Sequence, residues 1–160
     1  NVIGKRNALQ TTMSDPYHIL IIGCGRLGSR LANRLSHDGH RVVVIDKRKE
    51  NFDKLTFDFS GYTVVGDATE LQVLKDGAIE HTDYVFAATR FDNTNLMVAQ
   101  VARHIFGVEN VLARVYDPAR EAVYQSFGVG TISPTNLSAN EFLGHIDPSR
   151  SRRKKGKRES

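Results

Sequence analysis

Six consecutive residues near the start of the chain could grip a phosphate. Gly23-x-Gly25-x-x-Gly28, within "IIGCGRLGSRLANRL", lies between an apolar run and a helical pattern. In that setting Gly23 permits a tight turn, Gly25 lets the backbone approach a pyrophosphate, and Gly28 lets a helix pack closely on a strand. The open N–H groups and positive dipole end of the helix then hold the phosphate charge. Further on, Asp46 closes "RVVVID". A carboxylate there accepts hydrogen bonds from ribose hydroxyls and repels a 2′-phosphate. The pattern favours NAD or adenosine over NADP, with Lys47 and Arg48 beside the acid working the other way. Cys24, Arg26 and Leu27 fill out the loop. Arg26, at the helix start, could pair with a phosphate held by its own chain or a neighbour's, or stay a solvated surface arginine. Cys24 reads as a small filler, although a helix N-terminus can acidify a thiol.

The elements that must position these residues follow a regular alternation. "HILII", "RVVVID", "YTVVGD", "DYVFAAT", "NVLARV" and "VGTISP" read as parallel strands, the first two of them buried. Helical patterns fall at 26–37, 51–59, 69–76, 92–106, 118–127 and 135–146, with Gly39 ending the first and Pro118 opening the fifth. Strands joined by right-handed helical crossovers make a doubly wound, parallel six-stranded α/β sheet in a single lobe. Residues 1–15 read as a linker, 16–146 as the folded domain, and 147–160 as a basic, disordered tail.

Composition narrows the class. One cysteine, Cys24, rules out a disulfide framework and suits a cytosolic protein. No run approaches the roughly 18–20 apolar residues of a membrane-spanning helix. The opening "NVIGKRNALQTT" lacks the apolar core of a signal peptide, and Met13 is a candidate internal start. The net charge of +4 is concentrated at one end: residues 149–160 carry seven Lys or Arg and one acid, which leaves the rest at −2. That tail could meet anionic lipid or act as a solubilising segment. Without interleaved aromatics or a recognition helix, no nucleic-acid partner is expected.

Catalytic groups are harder to find. A dehydrogenase needs a proton donor or acceptor beside the hydride site. No Tyr is followed four residues later by Lys, the six His are scattered, and no His/Cys cluster has metal-ligand spacing. The sequence offers a nucleotide holder without visible machinery to use it.

The motifs "GCGRLG", "VVVID", "VVGDATE", "DYVFAAT", "LARVYDP" and "FGVGTISP", in this order, resemble the regulator-of-conductance (TrkA-N) domain of TrkA- and KtrA-type potassium transport systems. The resemblance covers about residues 16–146, and "GDATE" is its most specific element. It implies a Rossmann-like lobe that binds NAD or NADH, or ATP, ADP or AMP. The phosphate loop and Asp46 match the family's phosphate and ribose contacts. Asp67 and Ala68 match its adenine-side loop, Ala88 and Thr89 its cofactor-facing strand end, and Arg114 an arginine near the nucleotide mouth or a subunit contact. No catalytic residue and no bound metal is implied. The family usually carries a second, smaller C-terminal lobe, here expected to be missing, cut off or supplied by another protein. Gln125 stands where some ATP-responsive relatives have Glu, which argues against a metal-assisted ATP state.

The resemblance also implies partners: dimers assembled into rings, under a membrane potassium channel or transporter, on the cytoplasmic face. The sequence supplies its own hint. Leu96, Met97, Val98, Ala99, Val101, Ala102, Ile105 and Phe106 ring most of the 92–106 helix, and Ala122, Val123, Tyr124 and Phe127 the next one. A helix apolar on nearly every side is covered on both, by a second copy or by the terminal segment. The expected function is a nucleotide-sensing regulatory subunit. The alternatives are a small NAD-dependent oxidoreductase and an interaction module that has lost its nucleotide.

Overall fold

The computed structural model describes residues 14–146. Five helices and six strands alternate: β1 (His18–Ile22), α1 (Arg26–His37), β2 (Arg41–Asp46), β3 (Tyr62–Val65), α2 (Leu71–Asp76), β4 (Tyr84–Ala87), α3 (Asp92–Gln100), β5 (Asn110–Arg114), α4 (Glu121–Ser126), β6 (Gly130–Ile132) and α5 (Pro134–Gly144). All strand pairs are parallel, in the order β3-β2-β1-β4-β5-β6. The order reverses between β1 and β4. At such a switch point the connections leave toward opposite faces and open a crevice at the carboxyl ends of the strands. The expected linker before residue 14 and the basic tail at 147–160 lie outside the described residues.

Alternating side chains feed two cores. Ile19, Ile21, Val42 and Val44 pack with Cys24 and Ala32 under α1. Leu20, Ile22, Ile45, Val85, Val111 and Ala113 pack on the other face with Val98, Ala99 and Ala102 of α3 and its extension. Each fully buried Val, Leu or Ile contributes on the order of 1.5–3 kcal/mol.

Several expected helices are shortened. The segment expected to be helical at 51–59 is a 3₁₀ helix at Lys49–Lys54 instead. Asn51 turns its amide back onto Asp46 (2.9 Å), and Asn33 of α1 takes the Thr56 N–H (3.0 Å). Phe52, Leu55 and Phe59 still pack against the α1 core without a helix to carry them. The 92–106 helix is α3 followed by a π-helical turn, Val101–Ile105, and the 118–127 helix splits into a 3₁₀ turn and α4. Nor is the 92–106 segment uncovered all round. Leu96, Val101 and Phe106 pack against the core, leaving Met97 and Ile105 as its exposed large apolar side chains. The more exposed element is α5, none of whose residues is buried.

Candidate functional site

The crevice at the switch point is a cleft of about 570 Å³. Of the fourteen residues expected there, eleven line it: Gly23, Gly25, Arg26, Asp46, Lys47, Arg48, Asp67, Ala68, Ala88, Thr89 and Arg114. Cys24, Leu27 and Gly28 do not, because the turn points them elsewhere.

These three placements have local causes, and those of Cys24 and Gly28 agree with the filler and packing roles read from the sequence. Cys24 is fully buried in the α1 core. Burial first, and the charge of Asp46 second, push its thiol up to about 11, so the helix dipole does not make it a reactive thiolate. Its backbone N–H donates to Asp46 Oδ2 (2.8 Å). Gly28 packs helix on strand so tightly that a Cβ there would stand 1.7 Å from the Gly23 carbonyl oxygen. Leu27 is half-buried outside the cleft.

At the phosphate end, Gly23 has φ +98°, a conformation that favours glycine. A Cβ added to Gly25 would meet nothing within 4 Å. No side chain caps α1 and no acid stands in its first turn, so its leading N–H groups remain open for an anion. Arg26 is exposed beside them.

At the acidic end, the Asp46 carboxylate is held on three sides. Oδ2 accepts from Cys24 N–H, while Oδ1 accepts from Arg48 N–H (2.8 Å) and the Asn51 amide (2.9 Å). An ionised carboxylate has about four acceptor sites, so one remains for a ribose hydroxyl. Asp67 accepts from the Thr69 hydroxyl (2.6 Å) and N–H (2.9 Å) and pairs with Lys47 at 3.0 Å. The two Thr69 bonds, with Lys47 after them, lower its carboxyl to about 2. Lys47 thus pairs with Asp67, and Arg48 lies 4.0 Å from Glu50, both side chains of that second pair being exposed.

The opposite end is framed by two arginine–aromatic pairs. Arg90 lies 4.8 Å over the ring of Phe91, and Arg114 lies 4.2 Å over that of Tyr116. Arg114 also donates to the Tyr116 hydroxyl, while its Nε is buried without a hydrogen-bond partner. Asp92, at the start of α3, accepts from the backbone N–H groups of Tyr116 (2.8 Å) and Asp117 (3.1 Å) and ties down that rim. Sequence reading missed Asn51, Arg90, Phe91, Asp92 and Tyr116. Asn51 alone left a signal, an amide in the turn just after the ribose acid.

The arrangement fits a nucleotide. Open N–H groups and arginines meet phosphates, Asp46 keeps a free lone pair, and space stands open over Gly25. Among the described residues, no His/Cys/Asp/Glu cluster suits a metal.

The TrkA-N domain family matches residues 19–134. The chain is 42% identical over 132 residues to the Trk system potassium uptake protein TrkA of Streptomyces coelicolor, covering 82% of this chain and 59% of that one. It spans under two thirds of the length of the curated relatives it matches. Two solved structures share the fold. The TrkA-N domain of the Escherichia coli inner membrane protein ybaL superposes with a TM-score of 0.73 at 20% identity, over 83% of this chain and 99% of that one. The AMP-bound Kef C-terminal domain of Shewanella denitrificans does so with 0.65 at 21%, over 84% and 87%. With its glycine turn, parallel sheet and switch-point cleft in the family's arrangement, the chain belongs to the TrkA-N domain family.

Proposed function

We propose that this chain is the nucleotide-sensing lobe of a potassium transport regulator. It binds NAD(H) or an adenine nucleotide at the strand ends and passes the bound state to an oligomer bearing on a membrane channel or transporter, from the cytoplasmic side. The observation that carries this reading is the cleft itself, with the open N–H groups of the α1 start and the Asp46 carboxylate side by side in it, on a chain similar to a TrkA potassium uptake protein. The AMP-bound Kef relative supports an adenine nucleotide. Pairing of Lys47 with Asp67 supports a ligand without a 2′-phosphate.

Assembly has support of its own. Beyond α1, the same face of the sheet leaves Leu112 and Ile132 at 37% and 40% exposure. The next element, α5, turns Leu137, Phe142 and Leu143 to solvent. A sheet flank without a cover and a helix without a seat complement one another between two copies. The oxidoreductase reading has no specific observation in its favour.

Signalling requires unequal nucleotide affinity for two states of the assembly. The first test is thermal unfolding of the purified chain with NAD, NADH, NADPH, ATP, ADP and AMP, with Asp46→Ala as control. A ligand at about 100 times its Kd adds roughly 2.7 kcal/mol to stability. The expected result is a raised midpoint with NAD(H) or an adenine nucleotide, absent in Asp46→Ala. No shift with any of the six overturns the proposal, and steady substrate-dependent NADH oxidation would replace it with an enzyme.

A further inference from the structure

We infer that Asn95 is a positioning residue of the nucleotide cleft, fixing three strand ends at the spacing a long nucleotide requires. This inference rests on the nucleotide-binding reading above. Asn95 lies in α3, is completely buried, and does not itself line the cleft. Its amide makes four hydrogen bonds. Oδ1 accepts from the Thr89 N–H (3.0 Å) and the Thr89 hydroxyl (2.6 Å), while Nδ2 donates to the carbonyls of Thr89 (2.9 Å) and Arg114 (3.0 Å). Two donors and two lone pairs are the full capacity of a side-chain amide.

The partners explain why an amide stands there. Thr89 lies just past the end of β4, and Arg114 is the last residue of β5. The β4–β5 ladder ends at Ala87 and Ala113, so these backbone groups have run out of strand partners as the crevice opens. Buried N–H and C=O groups without partners are costly, and Asn95 supplies them.

The same clamp reaches the phosphate turn. A Cβ on Gly23 would lie 3.1 Å from both the N and the Cα of Thr89, so the turn rests directly on the segment Asn95 holds. One side chain therefore sets the relative placement of the β1 turn, the β4 end and the β5 end. Through the Arg114 carbonyl it also fixes the backbone that carries the Arg114 side chain into the cleft. Asp46, bonded to the Cys24 N–H of the phosphate turn, is held as well by the Arg48 N–H and the Asn51 amide, neither of which bonds Asn95.

Ligand length should therefore expose the role. In the proposed pose AMP meets only the glycine turn and Asp46, which the Ile45 carbonyl, Arg48 and Asn51 also hold, whereas NADH and ATP extend on toward Thr89 and Arg114. Asn95→Asp keeps the acceptor for Thr89 and sets an oxygen against the two carbonyls. Thr89→Val removes the hydroxyl that donates to Asn95 and accepts from the Phe91 N–H (3.2 Å), keeps the backbone bonds to Asn95, and serves as the milder variant. Calorimetric titration of the wild-type chain and both variants with NADH, ATP and AMP reads the ratio of affinities. The expected result in Asn95→Asp is weakening of the long ligands by about tenfold or more relative to AMP, with a smaller loss of the same sign in Thr89→Val. A merely structural role would lower the binding-competent fraction and weaken every ligand equally. An unchanged ratio in the variants overturns the inference and leaves the nucleotide reading standing. If Asn95→Asp does not fold, Thr89→Val decides. A wild-type chain that binds none of the three overturns the nucleotide reading and this inference with it.

Discussion

Gly25 and Gly28 sit three residues apart in one motif, yet their substitution by Ala should have opposite consequences. Helix propensity favours Ala over Gly by about 1 kcal/mol at an interior position, and Gly28 lies in the first turn of α1. Against that gain, the new methyl would stand 1.7 Å from the Gly23 carbonyl oxygen and 2.8 Å from its carbon. Those are backbone atoms, so no rotamer change relieves the overlap. Gly23 is itself pinned, because its N–H donates to the Ile45 carbonyl at 2.8 Å and its other side rests on Thr89. Overpacking costs roughly 1–3 kcal/mol or more, and an overlap this deep with a fixed neighbour belongs at the upper end. The net expectation for Gly28→Ala is about 2 kcal/mol of destabilisation, or roughly 6–10 °C in Tm for a domain of this size, with nucleotide binding lost as the turn is displaced. Gly25→Ala meets open space, and its φ of −81° is open to any residue, so stability should stay within about 0.5 kcal/mol. The methyl instead occupies room at the cleft lining where the backbone meets a phosphate, and nucleotide affinity should fall. Thermal unfolding with and without NADH and ATP measures both effects. A more stable Gly28→Ala, or a destabilised Gly25→Ala that binds normally, would refute the assignment of close packing to Gly28 and phosphate approach to Gly25.

Two further expectations concern titrating groups. Cys24, buried and with its thiol at about 11, should resist a thiol-reactive probe at pH 8 in the native protein and react fully once unfolded; rapid native labelling would show that the loop opens. Asp67 has a folded value of about 2 against an ordinary 3.8, so folding favours its charged form. Its contribution should be full above about pH 4 and disappear as pH falls through about 2. Asp67→Asn, compared with wild type in acid unfolding between those limits, should flatten that part of the stability profile, and identical profiles would count against the Thr69–Lys47 cradle.

Sequence alone determined most of the alternation of strands and helices, because the strands are short runs rich in apolar and β-branched residues bounded by turn residues. It located the glycine turn and the acid that closes β2 as well, since both depend on residue type and local spacing. Where packing intervened, it reached less far. The segment at 51–59 shows helical spacing at Phe52, Leu55 and Phe59, but Asn51 and Asn33 bend the chain into a shorter 3₁₀ element while the same three side chains stay on the core. Cys24 and Leu27 lie inside the motif, and only the three-dimensional turn shows that neither faces the cleft. The apolar circumference of the 92–106 helix suggested a second covering surface. Part of it is absorbed by the domain's own core, Met97 and Ile105 stay exposed, and further uncovered apolar surface lies on α5 and the β5–β6 flank.

Most of the rim of the cleft was decided by tertiary structure. Arg90, Asp92 and Asn95 come from one segment and Arg114 and Tyr116 from another, and nothing in their local patterns joins the two. They meet because the parallel sheet sets the ends of β4 and β5 side by side, next to the switch point between β1 and β4. Backbone groups that lose their ladder there must be satisfied by side chains from a neighbouring helix. Local spacing can specify which residues form a turn. Which distant amide completes it depends on how the chain folds back.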